Sequence, residues 1–116
     1  MLLDLRVYRI RDGKRDEFHA LARDETIPMA RRHGHNVVGF GPSLHDEDSY
    51  YLIRAFVDEE ERRRSLASLY ESEEWLQNYD ERVMGLIDSY QTAVITAPSE
   101  ATGLTRFDYT GASGGR

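Results

Sequence analysis

Residues 2–10 read LLDLRVYRI, and the alternation inside them sets the architecture. Leu3, Leu5 and Val7 share one parity; Asp4, Arg6 and Tyr8 share the other. Side chains along a strand point alternately to its two sides, so this pattern predicts a strand with one apolar and one mixed face. The apolar row is expected to lie beneath helices, with Arg6 and Tyr8 on the opposite face. Arg11, Asp12, Gly13 and Lys14 then break the strand with a turn.

Outward from this strand the period changes. From Lys14 to about His33, Phe18, Leu21, Ala22 and Met29 fall near one helical stripe. Pro28 lacks a backbone N–H and clashes with the preceding turn, so a helix to about Glu25 should kink or restart at Thr26–Pro28. In RRHGHNVVGFG (31–41), Gly34 after three basic residues reads as a helix stop. Residues 36–43, NVVGFGPS, read as a glycine-weakened edge strand, and residues 50–57, YYLIRAFV, as a strand dense in β-formers. Asp58 with Glu61, and then Ser72, mark two further helix starts. Trp75, Leu76, Tyr79, Val83, Leu86 and Ile87 recur at helical spacing in the second, and QTAVITA (91–97) is the last strand.

The order strand, helix, strand, strand, helix in two parts, strand predicts an α+β fold of ferredoxin type. That is a four-stranded antiparallel sheet in the spatial order 4-1-3-2 with helices on one face. The domain is expected to span 1–98, with 99–116 a flexible or partner-docking tail in which Phe107 and Tyr109 supply the docking groups. The second sheet face, expected to hold Leu2, Tyr8, Phe40, Leu52, Phe56 and Val94, is more apolar than a soluble monomer ordinarily exposes. A homodimer, sheet against sheet, is the simplest remedy.

Composition narrows the partners. The formal net charge of −6 argues against nucleic acid, whose phosphates need clustered Lys and Arg. With no cysteine, thiolate nucleophiles and Cys-based metal sites are excluded. No apolar run approaches a membrane span and no secretory signal is legible, so cytoplasmic residence is expected. The four histidines have no metal-binding spacing, and no metal or cofactor is expected.

Three segments, DLRVYRIRDGKRDEF, IPMARRHGHNVVGF and YYLIRAFVDEEERRRSLASLYESEEW, resemble in their order the hallmarks of the NIPSNAP-like family. The resemblance covers roughly Leu2 to Trp75. It implies a dimeric α+β barrel, the fold shared with antibiotic-biosynthesis monooxygenases, and says little about activity.

Two functions follow as expectations. The first is an enzyme acting without metal or cofactor on a small aromatic or polyketide-like molecule. Arg6 would stabilise an enolate or phenolate, Tyr8 would orient it and His33 would move protons, while Arg54, Phe56 and Tyr50 would bind substrate. The second is a non-catalytic dimer that binds a small molecule or a protein. Arg6, Tyr8 and Arg54 are expected to share a cavity on the face away from the helices. There, two arginines against Asp4 leave positive charge for an anionic ligand.

Overall fold

A computed structural model describes residues 1–98, 106–109 and 111. The first strand, β1 (Leu2–Ile10), runs into α1 (Arg15–Leu21), a π-helical turn (Ala22–Thr26) and α2 (Ile27–Arg32). Strands β2 (Asn36–Pro42) and β3 (Ser49–Phe56) follow. Next come α3 (Glu59–Tyr70), α4 (Glu73–Asn78), α5 (Asp80–Met84), β4 (Ile87–Thr96) and the short β5 (Phe107–Asp108). The sheet order is β4-β1-β3-β2-β5. The 4-1-3-2 core is antiparallel as anticipated, and β5 adds a parallel strand on the β2 edge.

Local signals explain most boundaries. Asp58 caps α3 by accepting from the Glu61 N–H at 2.8 Å, and the Glu61 carboxylate accepts from Val57 N–H at 3.0 Å. Ser72 caps α4 through Trp75 N–H. At the end of α2, Gly34 takes φ +88°, His35 N–H donates to Ala30 O and Gly34 N–H to Arg31 O. That is the Schellman arrangement, which a left-handed glycine permits. The disruption foreseen at Pro28 takes the form of the π turn just before it. Ile27 N–H reaches back five residues to Ala22 O. The extra residue moves the preceding turn away from a proline ring that would otherwise strike it.

Two expectations need correcting. The helix drawn through Ile87 ends at Met84, and β4 already begins at Ile87, because that stretch pairs with β1 as far as Ile10. The parity of the sheet is also the reverse of that anticipated. Asp4, Tyr8, Ile10, Tyr50, Leu52, Arg54 and Phe56 are buried on the helix side, with Phe40. Leu3, Leu5, Val7, Ile53 and Ile95 face the other way and remain half-covered or exposed. Of the residues assigned to the uncovered face, Leu2 and Val94 also belong to the helix-side row, since they pair with Phe56 and Asp4. The polar row can be buried because its charges are paired, as described below. The expected tail falls largely outside the described residues; of those described, Phe107 and Asp108 pair with β2 of the same chain.

Candidate functional site

Between the sheet and the helices lies a narrow cavity of about 50 Å³. The sheet contributes Tyr8, Tyr50 and Arg54; the π turn contributes Ala22 and Thr26; α3 and α4 contribute Tyr70 and Trp75. Most of the remaining lining is aliphatic or aromatic.

Arg54 is 1% exposed. One terminal N–H donates to the Tyr70 hydroxyl at 2.9 Å; another reaches Asp4 Oδ1 at a long 3.5 Å. The second oxygen of Asp4, itself fully buried, accepts from Arg62 Nε at 2.7 Å. Arg62 turns its other end to Glu59, near solvent. Two guanidinium groups therefore share one buried carboxylate. Arg54 Nε finds no acceptor among the described residues. A guanidinium cannot shed its proton to escape this situation. Burial opposes the Arg54 charge, but Tyr70, Tyr8 and Asp4 outweigh it and raise its pKa.

Tyr8 lies beside this group. Burial, and then Tyr70, push its pKa up to about 12, against the lowering influence of Arg54 and Arg6. At neutral pH it is an O–H donor, not a base.

The anticipated cavity on the open face is thus corrected. Tyr8 and Arg54 do meet at a cavity, but under the helices. Arg6 shares their face yet stands outside the lining, its Nε donating to Thr92 Oγ1 at 3.2 Å and its guanidinium 4.7 Å from the Tyr90 ring centre. The second arginine on Asp4 is Arg62 rather than Arg6. Tyr50 is in the wall, its hydroxyl 2.6 Å from His19 Nδ1. Phe56 is buried against the edge of the His35 ring and does not line the cavity. His33 is elsewhere: with Arg32 it holds Glu74 at the surface, and together they bring that carboxyl down to about 2, Arg32 contributing most.

Sequence reasoning missed Tyr70, Arg62 and His19. His19, one of four histidines without metal-binding spacing, is 1% exposed and bridges Tyr50 to Gly111 O. A signal for the correct parity was present in β2. Gly39 and Gly41 offer no side chain for helices to pack on, so Phe40 had to carry the covered face; a register irregularity between Val37 and Gly39 brings Val37 to the same side. A Cβ on Gly39 would strike the Phe107 ring, and one on Gly41 would lie 2.8 Å from Tyr109 Cβ. The glycines make room for the C-terminal segment. Among the described residues no group of three His, Cys, Asp or Glu gathers closely enough to hold a metal ion. No described helix is long and apolar enough to cross a membrane.

Comparison with known proteins agrees with this geometry. The NIPSNAP family model matches residues 3–100. A NIPSNAP domain protein from Burkholderia xenovorans is 21% identical, with a TM-score of 0.75 over 85% of this chain and 96% of that one. A NIPSNAP family protein from Agrobacterium tumefaciens is 23% identical, with a TM-score of 0.76 over 84% of this chain and 93% of the other. SnoaB, a cofactor-independent oxygenase from Streptomyces nogalater, shares the fold more distantly: 16% identity and a TM-score of 0.56 over 84% and 93%. None of the curated proteins searched matches the chain. With its matching segment spanning almost the whole sheet and every helix, the chain belongs to the NIPSNAP family.

Proposed function

We propose that this protein binds a small aromatic or polyketide-like anion in the cavity between sheet and helices, and that Arg54 and Tyr8 stabilise the negative oxygen of that molecule. The observation that carries the reading is the buried Arg54, which lines a largely apolar cavity and whose Nε–H has no partner among the described residues. The Tyr8 and Tyr70 hydroxyls, both at that cavity, supply further donors. Charge-assisted hydrogen bonds in such surroundings are strong, and an apolar body would replace the aliphatic contacts that the cavity lacks. The described lining residues include no carboxylate and no histidine. The site therefore suits a phenolate, enolate or carboxylate that arrives already ionised. As an enzyme, the protein would act on such an anion by holding its charge, with oxygen-dependent oxidation of an activated ring as the reaction class. The name of SnoaB, a cofactor-independent oxygenase, supports that class.

A second reading, a non-catalytic binding module, is favoured by the size of the cavity. About 50 Å³ holds a few waters, whereas a benzene-sized ligand needs roughly 150 Å³. An aromatic ligand must displace the helices, and the π turn that lines the cavity is the element suited to yield. In either reading a second copy covers the open face of Leu3, Leu5, Val7 and Ile95, and the protein resides in the cytoplasm. The net charge of −6 argues against nucleic acid as a partner.

The test uses Trp75, the single tryptophan, which lines the cavity. Its fluorescence should be quenched saturably by 1-hydroxy-2-naphthoate and at least about tenfold less effectively by neutral 2-methoxynaphthalene. Arg54→Leu should abolish that preference while folding normally, because Asp4 keeps Arg62. Absence of saturable quenching by the anion would reject the binding site. Oxygen uptake during turnover of a bound anion separates the enzyme from the module.

A further inference from the structure

Tyr50 lines the cavity, and its hydroxyl is engaged by a histidine that also touches the C-terminal segment. His19 stands between them, 2.6 Å from the Tyr50 hydroxyl through Nδ1 and 2.8 Å from the Gly111 carbonyl oxygen through Nε2. A carbonyl oxygen can only accept, so Nε2 must carry the proton. Burial lowers the His19 pKa, which keeps the ring neutral near pH 7 with a single N–H. Nδ1 is then a lone pair, and the Tyr50 O–H must donate to it. The hydroxyl hydrogen is thereby turned towards His19.

The segment that supplies Gly111 is held by contacts of its own. Asp108 receives two N–H bonds from Arg31, each 2.9 Å, and Arg31 also donates to Val37 O. Phe107 fills the space above Gly39, Tyr109 N–H donates to Phe40 O, and the Tyr109 ring packs on His19 at 5.4 Å. Asp108, Phe107 and Gly111 are absent from the described lining of the cavity, and His19 is the side chain that joins Gly111 to a hydroxyl of a lining residue, Tyr50.

We infer that His19 is a positioning residue that carries the docking of the C-terminal segment to the cavity wall, setting whether Tyr50 offers a hydroxyl donor to the ligand. This deepens the proposed binding function and rests on it for its effect on ligands. With Gly111 in place, the Tyr50 end of the cavity is apolar, and a ligand finds hydrogen-bond donors towards Arg54, four residues and about 13 Å along β3. With Gly111 released, Nε2 loses its acceptor and the proton can move to Nδ1. Tyr50 then accepts from His19, and its own O–H is free to turn to the cavity. Docking selects ligands with one anionic end; release admits ligands with acceptors at both ends.

The experiment is nitrogen NMR of the full chain labelled at histidine, at pH 7. The parent should show His19 protonated at Nε2. Phe107→Ala/Asp108→Ala, which removes two docking contacts, should shift His19 towards a mixture of tautomers. Gly39→Val, which pushes the Phe107 ring away without touching the cavity, should do the same. Tyr50→Phe should leave the proton on Nε2. A parent with the proton on Nδ1, or docking variants with an unchanged His19 signal, would overturn the inference. Affinity for 1-hydroxy-2-naphthoate should change by up to about tenfold between the parent and the docking variants, the range of one hydrogen bond. If the parent does not bind this probe, the binding proposal fails on its own, while the tautomer still decides the role of His19.

Discussion

Beneath the helices, β1 presents Asp4, Arg6, Tyr8 and Ile10; on its other side it presents Leu3, Leu5 and Val7. The covered face is the more polar of the two. It stays covered because its charges are joined, Asp4 to Arg54 and Arg62, and because Tyr70 closes over Arg54. The apolar row is left to the open side, with Val7 48% and Ile95 46% exposed in the single chain. Hydrophobicity alone does not choose which face of a sheet meets its helices. A paired charge cluster can lie under them, and an apolar face can be kept for another surface.

The contrast breaks most sharply at Asp4. Asp4→Ala leaves Arg54 and Arg62 without their buried carboxylate and should lower stability by about 3–5 kcal/mol in urea denaturation. Val7→Ser, on the same strand but the opposite face, should change the stability of the single chain, measured at dilution where it is monomeric, by less than about 0.5 kcal/mol. Equal costs would erase the distinction between the faces.

Tyr8 sharpens it next. Its pKa rises from 10.0 to about 12 on folding, so the unfolded chain ionises first. The stabilisation is complete below pH 10 and is lost as pH climbs through 12. It amounts to roughly 3 kcal/mol. Denaturation at a series of pH values should show this loss in the parent and a smaller one in Tyr8→Phe. Identical profiles would mean that Tyr8 is not buried as described.

The open face is probed by Leu5→Asp. If a second copy covers it, an aspartate there should weaken self-association about a hundredfold, near 2.7 kcal/mol. The monomer should still unfold cooperatively, at the temperature of the parent diluted to its own monomeric form. Sedimentation equilibrium measures the first and thermal melting the second; a parent already monomeric at micromolar concentration would reject the dimer. The smallest effect is expected at the surface, where Arg32 and His33 grip Glu74. Despite a carboxyl pKa of about 2, Glu74→Gln should leave stability at the limit of detection, because solvent screens an exposed pair.

Much was legible beforehand. Asp58, Ser72 and Gly34 mark helix ends through chemistry that acts within a few residues, and the structure uses each in that way. The order of alternating and helical segments is enough for the 4-1-3-2 sheet, since connection length and handedness leave few alternatives. The surplus of guanidinium charge over Asp4 was also readable as an idea. The identity of the second arginine was not, because Arg62 lies 58 residues away on α3, and only the packing of that helix brings it to the carboxylate.

The sequence by itself determined the four main strands, the helices between them, their order and the existence of two unlike sheet faces, because these rest on periodicity and local hydrogen bonding; the family was legible in the order of three resembling segments. Which face the helices cover was decided by tertiary structure. Alternation is symmetric between the two sides of a strand, and only the meeting of Asp4, Arg54, Arg62 and Tyr70 makes the polar side a place that can be buried. The same holds for His19. Nothing near it in sequence assigns its proton, which depends on a carbonyl 92 residues further along the chain.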